Sequence, residues 1–459
     1  MEYNCAQIVQ AQKDFFKTRQ THDITYRKKT LKKLLKVVKK REEAICDALY
    51  ADFRKPKFES VISETSIVIS ELKLAIKKVK SWAKPKRVLP ALLNFPSSDR
   101  IHSEPYGTTL IIAPWNYPYQ LALAPLIGAV AAGNTVVLKP SELTPNTSQI
   151  LEEIVSEVFE ESHVKVIQGG VSVAQELLAQ RWDYIFFTGS VNVGKIVAQA
   201  AAPHLTPVTL ELGGKNPCIV DLHTDFKLTA KRIVWGKFLN AGQTCIAPDY
   251  LIVHAQAKFD FTKALIAEIE AAYGKNPQES PDLPRIINKK NFQRMSAMLE
   301  GEKVLYGGEM DEDDLYIAPT LLDEPSRESD VMRDEIFGPI LPIQVYASLE
   351  DISTIIGRYE KPLSLYVFSN DKKFAKRMIE RHSFGGGAIN DTVTHFVNHR
   401  LPFGGVGNSG IGAYHGKGSF DTFSHKKSIT RKKTWLDIPI RYAPYKGKLK
   451  VLKTFLKYF

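Results

Sequence analysis

Four short apolar runs constrain this chain more than anything else in it: Thr108-Thr109-Leu110-Ile111-Ile112, Thr135-Val136-Val137-Leu138, Val164-Lys165-Val166-Ile167 and Tyr184-Ile185-Phe186-Phe187. Between and after them lie segments of helical periodicity, near 119–132, 146–160, 172–180 and 193–201. Strands that are apolar along their whole length need both faces covered, and a parallel sheet flanked by helices provides that. The fold class is therefore α/β, with ligands expected at the carboxyl ends of the strands. A second α/β run extends from Cys218-Ile219-Val220 to Gly387-Ala388-Ile389-Asn390 and includes Leu365-Tyr366-Val367-Phe368. The two units meet near Glu211, which places a cleft there.

The remaining segments are read with less structure. Leu31, Leu34, Leu35, Val38, Ile45 and Leu49 mark one face of a single long helix from Asp23 onward, and a second helix runs over 60–82. Residues 85–99 leave the periodic pattern as an excursion, and the chain beyond Thr392 reads as Gly-rich loops and a basic tail. With 459 residues the chain exceeds what one hydrophobic core supports.

The formal charge of +12 is spread along the sequence, with concentrations at 27–41 and after 441, so it describes a solvated surface and no nucleic-acid partner. Cys5, Cys46, Cys218 and Cys245 form no Cys-x-x-Cys pair, and no histidine spacing completes a metal site. Scattered thiols fit a reducing compartment, hence a cytoplasmic protein. Met1-Glu2-Tyr3-Asn4-Cys5 opens no secretory signal, and no apolar stretch is long enough to span a bilayer as a helix.

Two stretches carry chemistry. Cys245 ends Phe238-Leu239-Asn240-Ala241-Gly242-Gln243-Thr244-Cys245, between a helix over 226–239 and a buried strand at 250–254. A thiol in a tight turn between packed elements is fixed yet reachable, as a nucleophile requires. Glu211 stands inside the apolar run Thr209-Leu210-Glu211-Leu212, followed by Gly213 and Gly214, which let backbone or ligand approach. A buried acid is paired, protonated or functional. The residues alone also admit a core cysteine and an acid satisfied by backbone amides.

Two motifs imitate nucleotide loops. Gly189-Ser190-Val191-Asn192-Val193-Gly194-Lys195 follows a strand as a P-loop does, but Ile196 stands where a magnesium-binding hydroxyl belongs. Such a turn still offers helix N-terminal amides to a pyrophosphate. Gly405-Val406-Gly407-Asn408-Ser409-Gly410 matches the dinucleotide fingerprint in letters, but Gly412 and Gly416 break any following helix, so it is a structural loop. His395 and His399 lack a third ligand and bind no metal.

Leu210-Glu211-Leu212-Gly213-Gly214-Lys215 and Gly242-Gln243-Thr244-Cys245 resemble the glutamate and cysteine signatures of the aldehyde dehydrogenases. Pro114-Trp115-Asn116-Tyr117-Pro118, Lys139-Pro140-Ser141-Glu142, Phe187-Thr188-Gly189-Ser190 and Glu335-Ile336-Phe337-Gly338-Pro339 continue the resemblance in order over nearly the whole chain. It implies a Rossmann-like NAD(P)-binding domain (1–83 and 100–208), an α/β catalytic domain (209–391) and an oligomerisation element (84–99 and 392–435), and leaves a basic amphipathic tail (436–459) outside the pattern. It also implies Cys245 as nucleophile, Glu211 as base, and Asn116, with the Cys245 backbone amide, as oxyanion donor. Cofactor positions carried over are Lys139, Glu142, Gly189, Ser190, Gly194, Glu335 and Phe337.

A carboxylate at Glu142 would repel a 2′-phosphate while Lys139 offsets it, so NAD comes first and NADP stays open. Tyr117 and Phe396 are apolar walls for the substrate. Leu401-Pro402-Phe403-Gly404-Gly405, Tyr414-His415-Gly416-Lys417 and Phe423-Ser424-His425-Lys426 resemble the class 3 branch, which implies a homodimer acting on medium to long aliphatic or aromatic aldehydes. The tail departs from that pattern. Leu449, Leu452, Phe455, Leu456 and Phe459 share a helical face beside Lys448, Lys450, Lys453 and Lys457. Two placements fit it: an anionic membrane surface, as peripheral contact, or the face of the dimer partner.

Overall fold

The computed structural model describes residues 3–91 and 94–458. Met1, Glu2 and Phe459, named above, lie outside the described residues, as do Leu92 and Leu93 within the excursion. The chain divides into two units, 1–82 with 105–425 and 83–104 with 426–459.

Among the described residues the larger unit holds two large sheets and a two-stranded antiparallel ribbon, Met310–Asp311 with Tyr316–Ile317. The first has six strands, in the spatial order Gly410–Ile411, Val208–Glu211, Tyr184–Thr188, Thr108–Ile112, Thr135–Lys139, Val164–Val166. All neighbours are parallel except Gly410–Ile411, which runs antiparallel and sets Gly410 opposite Glu211. Taken by chain order, the five parallel strands lie as 3-2-1-4-5, so the winding reverses between Thr108–Ile112 and Tyr184–Thr188. A crevice opens at such a reversal, because the two flanking connections leave on opposite faces. The four apolar runs form strands where the sequence places them; three are buried on both faces, and in the edge strand Val164–Val166 the central Lys165 is half-buried.

The second sheet has seven strands, in the order Val304–Tyr306, Thr320–Asp323, Ile340–Tyr346, Tyr250–His254, Pro217–Val220, Ser364–Phe368, Gly386–Ile389. It is parallel apart from its Val304–Tyr306 edge. Apolar clusters pack on both of its faces, around Ile252, Ile340 and Met295 on one side and Val253, Phe261 and Leu341 on the other.

The long N-terminal helix expected from Asp23 is two helices. Asp23 caps Ile24–Lys40 by accepting from the Thr25 and Tyr26 amides, and Arg41 leaves helical geometry before Glu42–Phe53 begins. The apolar stripe continues across the break because both helices face the same core, so periodicity alone carried no sign of it. The next helix is longer than expected, Lys57–Trp82, and contains one π turn at Val61–Thr65. The segment beyond Thr392 is also more regular than loops and tail. Ser424–Lys432 is a strand whose residues are almost all exposed.

In the smaller unit, Lys86–Val88, Ser97–Pro105 and Ser424–Lys432 make a three-stranded sheet. Its tail carries the short helix Lys448–Phe455, which leaves Leu449, Val451 and Leu456 exposed. Among the described residues no helix is long and apolar enough to cross a membrane.

Candidate functional site

Cys245 owes its position to a backbone that L-residues seldom adopt. Asn240, Ala241 and Gly242 have φ of 57°, 52° and 74°, three left-handed residues in succession directly after the helix Phe226–Phe238. Glycine is required at the third, since a Cβ on Gly242 would stand 2.2 Å from the Gly338 carbonyl oxygen. That contact ties the cysteine loop to the Glu335-Ile336-Phe337-Gly338 loop.

Strain of this kind persists only where surroundings over-determine it, and the surroundings here are polar and buried. The Asn240 amide donates to Glu59 at 3.0 Å, and its side chain donates to the carbonyls of Asn116 (2.9 Å) and Gln243 (3.1 Å). Asn216 donates to the carbonyls of Cys245 (2.7 Å) and Ala247 (3.0 Å), and Tyr366 donates to that of Ile246 at 2.6 Å.

Behind the loop lies a buried ion pair, Lys55 with Glu64 at 2.7 Å. The other Glu64 oxygen accepts from the Tyr119 and Gln120 amides at the start of the helix Gln120–Ala132. The Lys55 ammonium sits 3.9 Å from the centre of the Tyr117 ring, and the Tyr117 hydroxyl is 2.6 Å from that of Thr244, next to the cysteine. Sequence reading missed Glu59, Lys55 and Glu64. Their only early signal was two acids, Glu59 and Glu64, at otherwise apolar helical positions; Lys55, in the link before that helix, gave none.

Glu211 ends its strand with both carboxyl oxygens buried and without a hydrogen-bond partner among the described residues. Burial alone holds its pKa well above the ordinary carboxyl value. The Cys245 thiol is pushed up to about 12, by burial first and then by the negative ends of Glu335 and Glu211. Glu335 is raised to about 8 by burial and Asp249, while an amide bond from Gly214 and the charges of Lys215 and Arg294 pull it back. Gly213 permits this arrangement, because a Cβ there would lie 2.3 Å from the Glu335 carboxyl. Asp249 in turn pairs with Lys215 at 2.5 Å.

Two cavities meet at this point. One, of about 1080 Å³, is almost wholly apolar and includes Tyr117, Trp235, Phe396, Phe403 and Tyr414 in its wall. The other is a polar cleft of about 1840 Å³, reached by Pro114, Trp115, Asn116, Gly189, Ser190, Arg294, Glu335 and Phe337. Thr188, Glu211, Leu212 and Cys245 belong to both walls. Pro114–Asn116 and Gly189–Asn192 leave the two strands at the winding reversal, so the polar cleft is the crevice of the first sheet. For the second sheet the same point lies at the amino ends, since Asn216, Asp249 and Pro339 immediately precede three of its strands.

The sequence-derived residues are distributed as follows. Asn116 is buried beside the cysteine loop and spends one amide hydrogen on the Gln243 carbonyl at 3.1 Å. Ser190 caps the helix Val191–Ala201 at the cleft. Phe337, at φ 54°, sets its ring edge-on to Trp115 with centroids 5.3 Å apart.

Three residues stand outside the cleft wall. Gly194 packs under Leu212, and Lys139 and Glu142 pair with each other at 2.7 Å at the end of the strand Thr135–Lys139. That strand neighbours the one leading to Asn116. Gly407–Gly410 is indeed a loop, closed by a bridge and leading to the edge strand on Glu211. His395 is half-buried, with both ring nitrogens shielded and unpartnered among the described residues and its pKa lowered to about 4 by burial. Among the described residues no group of three acidic, histidine or cysteine side chains could hold a metal.

The arrangement suits a dinucleotide. The crevice, the capped helix terminus and the acids Glu211 and Glu335 at its inner end offer backbone amides for phosphates and acceptors for ribose hydroxyls.

Comparison with known proteins gives a consistent picture. The family model described as "Aldehyde dehydrogenase family" matches residues 2–429. The 4,4'-diaponeurosporen-aldehyde dehydrogenase of Staphylococcus aureus is 51% identical over 97% of this chain and 97% of its own. Aldehyde dehydrogenase family 3 member H1 of Arabidopsis thaliana is 45% identical, covering 94% and 91%. The dimeric NADP-preferring aldehyde dehydrogenase of Canis lupus familiaris is 43% identical, covering 97% and 98%. A solved structure of Staphylococcus aureus AldH in a substrate-bound state superposes with a TM-score of 0.97 at 50% identity, over 99% of this chain and 100% of that one.

Proposed function

Since the chain belongs to the class 3 branch of the aldehyde dehydrogenase family, we propose that it oxidises medium- to long-chain aliphatic or aromatic aldehydes to carboxylic acids, through thiohemiacetal and thioester intermediates on Cys245. The protein is an aldehyde dehydrogenase, and its cofactor is NAD or NADP. The observation that supports the chemistry is the shared wall. Cys245 and Glu211 are at once the inner end of an apolar cavity and of a polar cleft.

In this reading the aldehyde's apolar portion fills the first cavity and its carbonyl lies against Cys245. The sulfur attacks the carbonyl carbon as the thiol proton passes to Glu211 directly or through water. A desolvated carboxylate of raised pKa is a competent base for this near neutral pH. The developing alkoxide takes the second Asn116 amide hydrogen and the Cys245 backbone amide. Losing one such donor costs about 3 kcal/mol of transition-state stabilisation.

Bound dinucleotide supplies the hydride acceptor. Gly189, Ser190, Glu335 and Phe337 would hold it in the cleft. Gly194, in the same turn as Gly189 and Ser190, would let the helix lie close to it, and Lys139 and Glu142 would shape its adenosine end and favour NAD. After oxidation Glu211 releases the proton it took from the thiol to solvent and then accepts one from the water that attacks the thioester, so that the acid departs and the thiol is freed.

The sequence-derived partition (1–83 and 100–208 for cofactor, 209–391 for catalysis, 84–99 and 392–435 for oligomerisation) goes with a cytoplasmic homodimer. The tail at 436–459 contacts either the partner subunit or an anionic membrane. Flotation with anionic vesicles, for the full chain against one ending at Tyr442, separates these two.

The primary test is reduced-cofactor formation, followed by absorbance, from a panel of straight-chain aldehydes with the wild type and Cys245→Ser. Signal that rises with chain length and vanishes in the variant is expected. A folded wild type silent with both NAD and NADP refutes the proposal.

A further inference from the structure

One hydroxyl in the apolar cavity is unused by the proposed chemistry. Tyr414 lines that cavity and not the polar cleft. It is 1% exposed, and its hydroxyl has no hydrogen-bond partner among the described residues. A buried polar group left unpaired is costly, and native proteins keep few of them. The Gln120 side chain lies beside it, also buried, with its Nε2 amide likewise unpartnered among the described residues. The first charge that acts on the phenol is that of Glu211, followed by Cys245.

Tyr414 is held in place from several sides. Its backbone exchanges hydrogen bonds with Phe403 at 2.8 and 3.1 Å, and its ring meets those of Phe186 and Phe403 edge-on, with centroids 5.3 and 5.8 Å apart. Phe186 belongs to Tyr184–Thr188, the strand beside Val208–Glu211. Gly410, just ahead of Tyr414 in the chain, is paired opposite Glu211. The elements that hold the phenol are therefore the elements that hold the acid.

We propose that Tyr414 is a further catalytic residue, whose hydroxyl binds, together with the Glu211 carboxyl, the water that hydrolyses the thioester. The proposal rests on the aldehyde dehydrogenase reading and assigns one step of it. The donors run in one direction. With water bound, the Gln120 amide donates to the phenol oxygen, the phenol donates to the water oxygen, and the water donates to Glu211. Gln120 is thus a positioning residue, which occupies the phenol oxygen so that the O–H turns to the water. Burial first, and then Glu211 and Cys245, hold the phenol well above its ordinary pKa, so it stays a donor.

In the hydrolysis the water oxygen bonds to the acyl carbon as a proton passes to Glu211. The carbon–sulfur bond then breaks, and its electron pair and that proton go to Cys245. Tyr414 borders only the apolar cavity, so this water reaches the thioester from the side away from the cofactor cleft. Deacylation by this route does not require the dinucleotide to leave first.

The test separates formation of the acyl-enzyme from its hydrolysis. Full-length enzyme with NAD and NADP in excess is mixed with hexanal below the enzyme concentration. The hexanoyl adduct on Cys245 is followed by rapid quenching and intact-mass spectrometry. Tyr414→Phe keeps the ring and removes only the hydroxyl, and Gln120→Met keeps the chain length and removes the donor. In both variants adduct decay should slow roughly tenfold or more beyond any slowing of its formation. Hydroxylamine, a nucleophile that cleaves a thioester without a base, should restore release in both.

Decay at the wild-type rate in both variants overturns the proposal. Formation and decay slowed by the same factor overturn it too, since that is the mark of a displaced cavity wall. A wild type that forms neither adduct nor reduced cofactor overturns the aldehyde dehydrogenase reading beneath it.

Discussion

Replacing Glu211 with glutamine tests the state of the acid without assaying catalysis. Its two oxygens are buried and unpartnered, and burial raises its pKa well above the ordinary value. Below about pH 4.5 the carboxyl is protonated in both folded and unfolded chains. Above that pH the unfolded chain releases the proton while the native protein keeps it, so the native state binds more protons and stability falls as pH rises. The loss is about 1.4 kcal/mol per pH unit until the folded-state pKa is passed.

Glutamine does not titrate, and the desolvation of its amide adds only a pH-independent offset. Other buried acids, such as Glu335 at about 8 and Glu59 and Glu71 at about 7, contribute equally to both proteins. The difference between Glu211→Gln and wild type should therefore widen by about 1.4 kcal/mol from pH 5 to pH 6 in favour of the variant. Urea unfolding midpoints across that range measure it. Midpoints that move in parallel would mean that Glu211 is ionised in the native protein and held by a donor, and the argument from an unpartnered acid would fail.

Three further outcomes follow from the same geometry. With Cys245 raised to about 12, its alkylation by iodoacetamide in the absence of cofactor should climb steadily from pH 6 to pH 9; a plateau in that range, seen by peptide mass spectrometry, refutes a protonated resting thiol. Gly242→Ala places a Cβ 2.2 Å from the Gly338 carbonyl at φ +74°. It should cost roughly 2–4 kcal/mol of stability and most of kcat, whereas a thermal transition within a degree or two of wild type counts against the tie between the two loops. Glu142→Gln removes the partner of Lys139 and should raise the NADP to NAD ratio of kcat/KM several-fold, as read in steady-state assays; an unmoved ratio places the adenosine end elsewhere.

What the sequence could reveal depended on how many residues a feature needs. The strands were legible because each is a run of consecutive apolar residues buried on both faces, as Leu110 and Val137 are. The Cys245 turn and the Glu211 strand were legible for the same reason, each being one short local string. Features made by two distant residues left no such mark. Glu59 supports the Asn240 amide across 181 positions, and Asn116 donates to Gln243 across 127. The break at Arg41 was hidden because both helices bury the same face. The strand Ser424–Lys432 was hidden because almost every residue is exposed and four are basic.

This division has a consequence for the chemistry. The groups proposed to react with the aldehyde lie in local motifs, whereas the left-handed run before Cys245 is held by Glu59 of the helix Lys57–Trp82 and by the Asn116 carbonyl, and Asn216 holds the Cys245 carbonyl after it. A turn with three residues at positive φ is held by partners 181 and 124 positions away in the chain. The placement of the thiol is thus a property of the assembled unit and not of the turn that contains it.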